Sequence, residues 1–446
     1  MTQFRPFKPL RYVRHDLSSV LSPPYDVLSA QDRADMLAID SHNSVAIDFP
    51  PGREDPAAYE AVAGLLSSWI TDGTLAWSPN ESFTILRMTA PTIGHIEGRT
   101  TTGVIGALTL CDPGTGDILP HEETTTKDKA DRLTLIRAAK INTSPIWGLS
   151  MTSGLGAVLS SLIAASPAEA SGTDSDGVLH ELWTVSRSGD IASIAALIDA
   201  TPVVLADGHH RFETALAYQA EQPASDSTSS SEPTGSRSDL LVEKEPTDGT
   251  RSEAQMGPTG SKQGPDAIMT MIVELAPSEL EVRPIHRLVD LPEGSSPDSL
   301  MASLSPWFNA EPAPDSVTAA LVEGGPASAL VVASLPTKQS LLLFTAKACW
   351  FLSPRDDVFG PEISLDSQRV RTSVSTGAPE AQLRFHHDAS HIYREVLAGR
   401  AAAGLLLRPA TVEQIHHVAD KRTRMPAKTT FFWPKPRTGM VFRSVE

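Results

Sequence analysis

Cysteine is nearly absent from this sequence of 446 residues. The two present, Cys111 and Cys349, stand far apart with no CxxC and no adjacent histidine pattern, which excludes a disulfide framework and a zinc ribbon. Positive charge is also scarce. Lys and Arg number 37 against 54 Asp and Glu, a net charge of -17, so general binding to nucleic acid or anionic lipid is disfavoured. A small anionic substrate is still allowed, because a pocket needs only a few focused cations. No apolar run is long enough to cross a bilayer, and the opening "MTQFRPFKPLRYV" lacks the apolar core of a signal peptide. A soluble, cytoplasmic protein with no membrane partner is expected.

The length exceeds one ordinary hydrophobic core and points to two or three domains. From Glu221 to Asp266 the chain is dominated by Ser, Thr, Gly, Pro, Glu and Asp and has no aromatic residue, as expected of a flexible surface insertion. Elsewhere strand-like and helix-like stretches alternate. "ESFTILRMTA" (81–90), "TGVIGALTL" (102–110), "AIMTMIVEL" (267–275), "ALVVASL" (329–335) and "SLLLFTA" (340–346) read as strands; 55–73 and 390–402 read as helices. The fold class is α/β or α+β. The expected division is an N-terminal α/β region over 1–118, a core over 119–290 interrupted by 221–266, and a C-terminal α/β region over 291–446.

The most informative stretch is "VVLADGHHRFETALAYQ", residues 203–219. A compact β-branched run ends in Asp207, Gly208, His209, His210 and Arg211, and a helical pattern follows. Gly208 allows a tight turn, and the free N–H groups at the helix start, beside two histidines and an arginine, suit an anion. Asp207 is placed to accept a proton or to orient a divalent cation. The structural alternative is a capped turn, with Asp207 as the cap and Arg211 paired to an acid.

Two further clusters are polar. "LPHEETTTKDKADRL" carries His121, Glu122, Thr124 and Arg132 into a helix, without the second histidine of an HExxH zinc site. "RMPAKTTFFWPKPRTGMVF" (424–442) interleaves Lys428 and Lys435 with hydroxyls and aromatics, where a core strand carrying phosphate-binding lysines is favoured over a base-stacking platform. Asp26 in "LSPPYDVLS", Asp48 in "HNSVAIDFP" and His286 and Arg287 in "RPIHRLVD" read as structural.

Five stretches together, "SPPYDV", "HEETTTKDKADRL", "ADGHHRFETAL", "PIHRLV" and "MPAKTTFFWPKPRTGMVF", occur in the order of a bacterial domain family long of unknown function. Some of its members are pyrophosphate-dependent serine kinases. The sequence resembles that family over most of its length, and more distantly the nucleotide-dependent archaeal serine kinases and the ParB/sulfiredoxin fold. The resemblance implies a ParB/sulfiredoxin-like catalytic core with additional mixed α/β subdomains, its C-terminal end returning to the active site. It implies phosphoryl transfer from inorganic pyrophosphate to L-serine with Mg²⁺. Gly208, His209, His210, Arg211, Lys428 and Lys435 would then bind pyrophosphate. Asp207, or else Glu122, would act as general base, with Asp207 also the candidate Mg²⁺ ligand; His121, Thr124 and Arg132 would hold substrate. The competing readings are an ADP- or ATP-dependent serine kinase, the reverse dephosphorylation of phosphoserine, and a ParB-like nucleotide- or DNA-binding regulator.

Overall fold

The computed structural model describes residues 3–52, 56–92, 97–112, 116–123, 129–222, 264–360 and 364–446. Among them, nine strands form a mixed sheet. Across it run Ile118–Pro120, Val203–Asp207, Ile146–Ser150, Ala267–Glu274, Thr100–Thr109, Phe83–Thr89, Leu179–Val185 and Ala170–Thr173, with Phe4–Arg5 paired to Thr100–Thr109. Val203–Asp207 is parallel to Ile118–Pro120, and Ile146–Ser150 is parallel to Ala267–Glu274. The other neighbours are antiparallel.

This sheet is buried on both faces, which explains why its strands read as continuous apolar runs rather than as alternating ones. Successive side chains of one strand enter different cores: Val203 and Leu205 pack with Ile146, Ile272 and Phe212. Val204 and Ala206 pack with Trp147, Leu149 and Met271 on the opposite face.

A second sheet of six antiparallel strands runs Phe308–Pro312, Cys349–Pro354, Leu341–Phe344, Ala403–Leu406, His286–Asp290 and Gln382–His386. It too has an apolar core on each face. The architecture is α+β. The first sheet takes strands from both sides of residue 118, so the expected boundary there runs through one sheet, and the change of sheet comes within 281–290. The chain's end then crosses back: Thr430–Trp433 pairs with Glu281–Pro284, and Phe442–Ser444 pairs with Pro9–Tyr12 and Ile141–Asn142.

One expected strand is a helix. Residues 329–335 lie inside the helix Gly325–Lys338, where Ser328, Val331 and Leu335 are buried at spacings of three and four. The Val331–Val332 pair suggests a strand, but the buried positions have helical period, and tertiary packing overrides β-propensity. Of the expected insertion, Glu221 closes a helix and pairs with Arg137, while Asp266 pairs with Arg5 at 2.6 Å; residues 223–263 lie outside the described residues. No helix among the described residues is long and apolar enough to cross a membrane.

Candidate active site

Two parallel strands build the site. Leu205 lies opposite Pro120, so both strands end at one edge of the sheet, and His121–Glu122 emerge beside Asp207–Gly208. Ligands favour this carboxyl end of parallel strands. Gly208 turns the chain with φ at +89°, and a Cβ there would lie 2.6 Å from Ile146 Cγ2 and 2.9 Å from its Cβ. Only glycine meets both demands. The helix His209–Glu221 begins at once with no side-chain cap, and Phe212 and Ala215 anchor its inner face in the core. A cleft of about 150 Å³ opens there, lined by Pro24–Asp26, Glu122, Glu123, Asp207–Arg211, Ala427 and Lys428.

The chain's end supplies the countercharge. Lys435 Nζ donates to Asp207 Oδ1 at 2.7 Å, and Arg211 Nη2 lies 3.4 Å from Oδ2. Burial raises the Asp207 pKa, but Lys435 and Arg211 outweigh it and hold the carboxyl at about 2. Arg211 Nη1 donates to Ser144 Oγ and to the Pro145 carbonyl, each at 2.8 Å, which fixes the guanidinium against the sheet. Burial, with His121 alongside, lowers His209 to about 4. His209 is therefore neutral near pH 7, and its Nε2 is buried without a hydrogen-bond partner among the described residues.

Glu122 is held on both oxygens. Oε1 accepts the N–H groups of Thr429 and Thr430, at 3.1 and 2.6 Å, and the Thr430 hydroxyl at 2.6 Å. Oε2 accepts Lys428 N–H at 3.0 Å. Burial raises its pKa, but His121 and Thr430 hold it at about 2. A carboxylate so occupied keeps little basicity; its evident work is to clamp residues 428–430 to the sheet. Lys428 takes a left-handed φ of +60°, which costs a non-glycine residue about 1 kcal/mol and is fixed here by the bond to Glu122. Its ammonium makes no ion pair among the described residues, and Lys428 lines the cleft.

His121 lies behind the cleft rather than in its lining. Nδ1 donates to the Leu205 carbonyl at 2.6 Å, and Nε2 lies 2.7 Å from Thr430 Oγ1, whose own proton goes to Glu122. Arg132 is also a supporting residue in this geometry. Its guanidinium is buried and bonded to Asp48 Oδ1, the Asp48 carbonyl and Asp131, with the Tyr25 ring 3.8 Å away. It is thus saturated by protein partners and braces the wall that carries Tyr25 and Asp26. The expected ligand Thr124 lies outside the described residues. Pro24, Tyr25, Asp26 and Glu123 line the cleft although the sequence marks them only as turn or helix-entry residues; the rigid Pro23–Pro24 pair before Tyr25–Asp26 was the available signal.

Residues 4–368 match a family described as "Protein of unknown function (DUF1015)". The chain belongs to the DUF1015 family. The matched region holds the 207–211 turn and Glu122, while Lys428 and Lys435 lie beyond it. No curated protein matches the sequence significantly. Among solved structures, a conserved hypothetical protein from Pyrococcus furiosus is 9% identical, with 71% of this chain and 87% of that chain covered, at a TM-score of 0.31. A free serine kinase in complex with AMP is 9% identical, over 71% and 83%, at 0.32. SbnI with C-terminal truncation from Staphylococcus aureus is 10% identical, over 71% and 79%, at 0.33. Scores this low carry no weight for fold or chemistry.

Proposed function

We propose that this DUF1015 protein transfers a phosphoryl group from inorganic pyrophosphate to L-serine. The serine Oγ–P bond forms, the bridging P–O bond of pyrophosphate breaks, the hydroxyl proton is released, and phosphate and O-phospho-L-serine leave. The observation that carries the reading is an uncapped helix start beside His210, Arg211 and Lys428 in a cleft of about 150 Å³. Orphan N–H groups and cations suit phosphate oxygens. The volume is below the range typical of drug-sized ligands, which favours an inorganic donor over a nucleotide.

Phosphoryl transfer asks chiefly for positioning and charge neutralisation. In this reading the helix N–H groups, His210 and Lys428 hold the donor, and Asp207 holds Lys435 and Arg211 in place around it. Asp26 at the rim suits the ammonium of an amino-acid acceptor. Mg²⁺ belongs to the same proposal and, when bound, neutralises donor charge. It commonly takes one or two carboxylates and completes its shell with phosphates and water. Asp26 fits that role better than Asp207, which already faces two cations, or Glu123, which pairs with Arg371 at 3.0 Å. Among the described residues there is no cluster of three acidic, histidine or cysteine groups that would hold a metal unaided.

The test is to incubate the protein with L-serine, Mg²⁺ and pyrophosphate, ADP or ATP, and to follow phosphoserine by ³¹P NMR. Phosphoserine from pyrophosphate alone is expected; its formation from ATP or ADP but not from pyrophosphate would sink the proposal.

A further inference from the structure

A second, larger cavity of about 550 Å³ lies at one end of the six-stranded sheet. Its size is that of pockets for small metabolites. Lys338, Arg369 and Arg408 line it against Asp356 and Asp366, a local excess of positive charge in a chain of net charge -17. Arg408 donates to the buried Asp366 through Nε at 2.8 Å and also through Nη2, which satisfies that carboxylate. Arg369 is held more loosely. It stands 3.6 Å from Asp366 and 3.2 Å from Asp356, whose side chain is 86% exposed and screened by water.

The Nε–H of Arg369 is buried and has no acceptor among the described residues. A donor so enclosed leaves the guanidinium short of acceptors, which favours an anion at its remaining N–H groups. The helix Asp366–Gly377 also starts at this cavity without a side-chain cap, so its first backbone N–H groups have no intrahelical acceptor. Donors and positive charge therefore exceed what the protein's own acceptors use.

We propose that this cavity is a binding site for a small oxyanion, the phosphate or carboxylate group of a metabolite. The site is separate from the cleft but shares a wall with it. Thr429 lines the cavity and donates its hydroxyl to Ser367 Oγ at 2.8 Å, while its N–H donates to Glu122 Oε1 at 3.1 Å. An anion that draws on Ser367 or the helix start is thus one residue from the segment that presents Lys428, and its binding slows amide exchange at 428–430.

Crystals soaked in selenate test the location directly, because anomalous scattering finds the anion whatever its affinity for the cleft. Density beside Arg369 is expected; density confined to the cleft, or none, overturns the site. In solution, inorganic phosphate and malonate are titrated calorimetrically against the full chain. Arg369→Gln should weaken cavity binding roughly tenfold and Lys338→Gln roughly threefold, while Lys428→Gln, altered in the cleft, retains it. Phosphate alone binding assigns a phosphate ligand, and malonate binding assigns a carboxylate. Neither anion binding, or unchanged affinity in both cavity variants, refutes the proposal, and exchange at 428–430 that ignores a bound anion refutes the link to the cleft.

Discussion

Lys435→Gln removes the ammonium 2.7 Å from Asp207 Oδ1 and leaves Arg211, 3.4 Å from Oδ2, as the remaining cation of the pair. The fall of the Asp207 pKa from 3.8 to about 2 corresponds to about 2.4 kcal/mol in favour of the ionised form. The carboxylate side chain is 32% exposed, so solvent screening reduces that figure, and the part owed to Lys435 is about 1 kcal/mol. A carboxyl group whose pKa falls on folding stabilises the fold above its unfolded value. That contribution fades as the pH drops through the folded value. Urea unfolding of the two proteins should therefore show the variant less stable by about 1 kcal/mol near pH 7 and near pH 5. Asp207 of the unfolded chain is common to both proteins and cancels, so the gap should persist near pH 3.5 and close only as the pH falls toward the folded value of about 2. A gap that is absent near pH 7, or that has already closed near pH 5, would refute the pairing as the cause of the low pKa.

Glu122→Gln removes one acceptor oxygen and turns an amide donor toward N–H groups of residues 428–430. A loss of about 2–3 kcal/mol is expected, with faster amide exchange at Lys428 and Thr429 by mass spectrometry. His209, lowered from 6.5 to about 4 by burial and by His121, takes up its proton more readily when unfolded, so its contribution to stability is full above pH 6.5 and lost as the pH falls through about 4. Thermal melts of His209→Gln should show a flatter decline across that window; an identical decline assigns the loss to other groups. Arg132→Lys keeps the charge but cannot fork to Asp48 and Asp131 or lie flat on Tyr25. Calorimetry should register a loss of about 2–3 kcal/mol in a chain that still folds.

What the sequence disclosed of the site depended on how local each feature is. The Asp207–Arg211 turn is a contiguous strand-turn-helix signal, and the structure has the strand and the helix starting about two residues from where they are read. Arg132 and Glu122 show the opposite case. Their charges mark them as candidate ligands, but their partners, Asp48 and residues 428–430, lie 84 and 306–308 positions away in the chain. Sequence spacing carries no record of such pairings, so a side chain saturated by the protein looks the same as one that awaits substrate. Asp26 was disguised in the other direction. Next to two prolines it reads as a turn residue, and only the fold of the 24–26 segment over the Asp207 edge places it at the cleft. The α+β class survived because it needs only the types of the elements, whereas the strand order and the shared sheet across residue 118 come from long-range pairing.

The same geometry bears on the proton that serine would give up in the proposed reaction. Asp207 and Glu122, the two carboxylates that sequence motifs favour as base, both sit at a pKa of about 2, far below the value at which a general base works well near neutral pH. A loose phosphoryl-transfer transition state asks little of a base, because the nucleophile has gained little charge when the donor bond is already largely broken. Asp207 is then worth more as the anchor that fixes Lys435 and Arg211 than as a proton acceptor. Asp207→Asn keeps the shape of the side chain and two weaker hydrogen bonds but releases the cations. Under the proposed reaction it should lower kcat/KM for pyrophosphate about 10- to 100-fold through misplacement and leave the shape of its pH profile unchanged. If the variant instead loses the acid limb of the wild-type profile, Asp207 takes the proton in the reaction and the anchoring role is wrong. Asp26→Asn supplies the contrast. Asp26 makes no ion pair among the described residues, so its substitution leaves the Lys435 anchor intact, and an effect confined to KM for serine would place it at the acceptor's ammonium rather than at the donor.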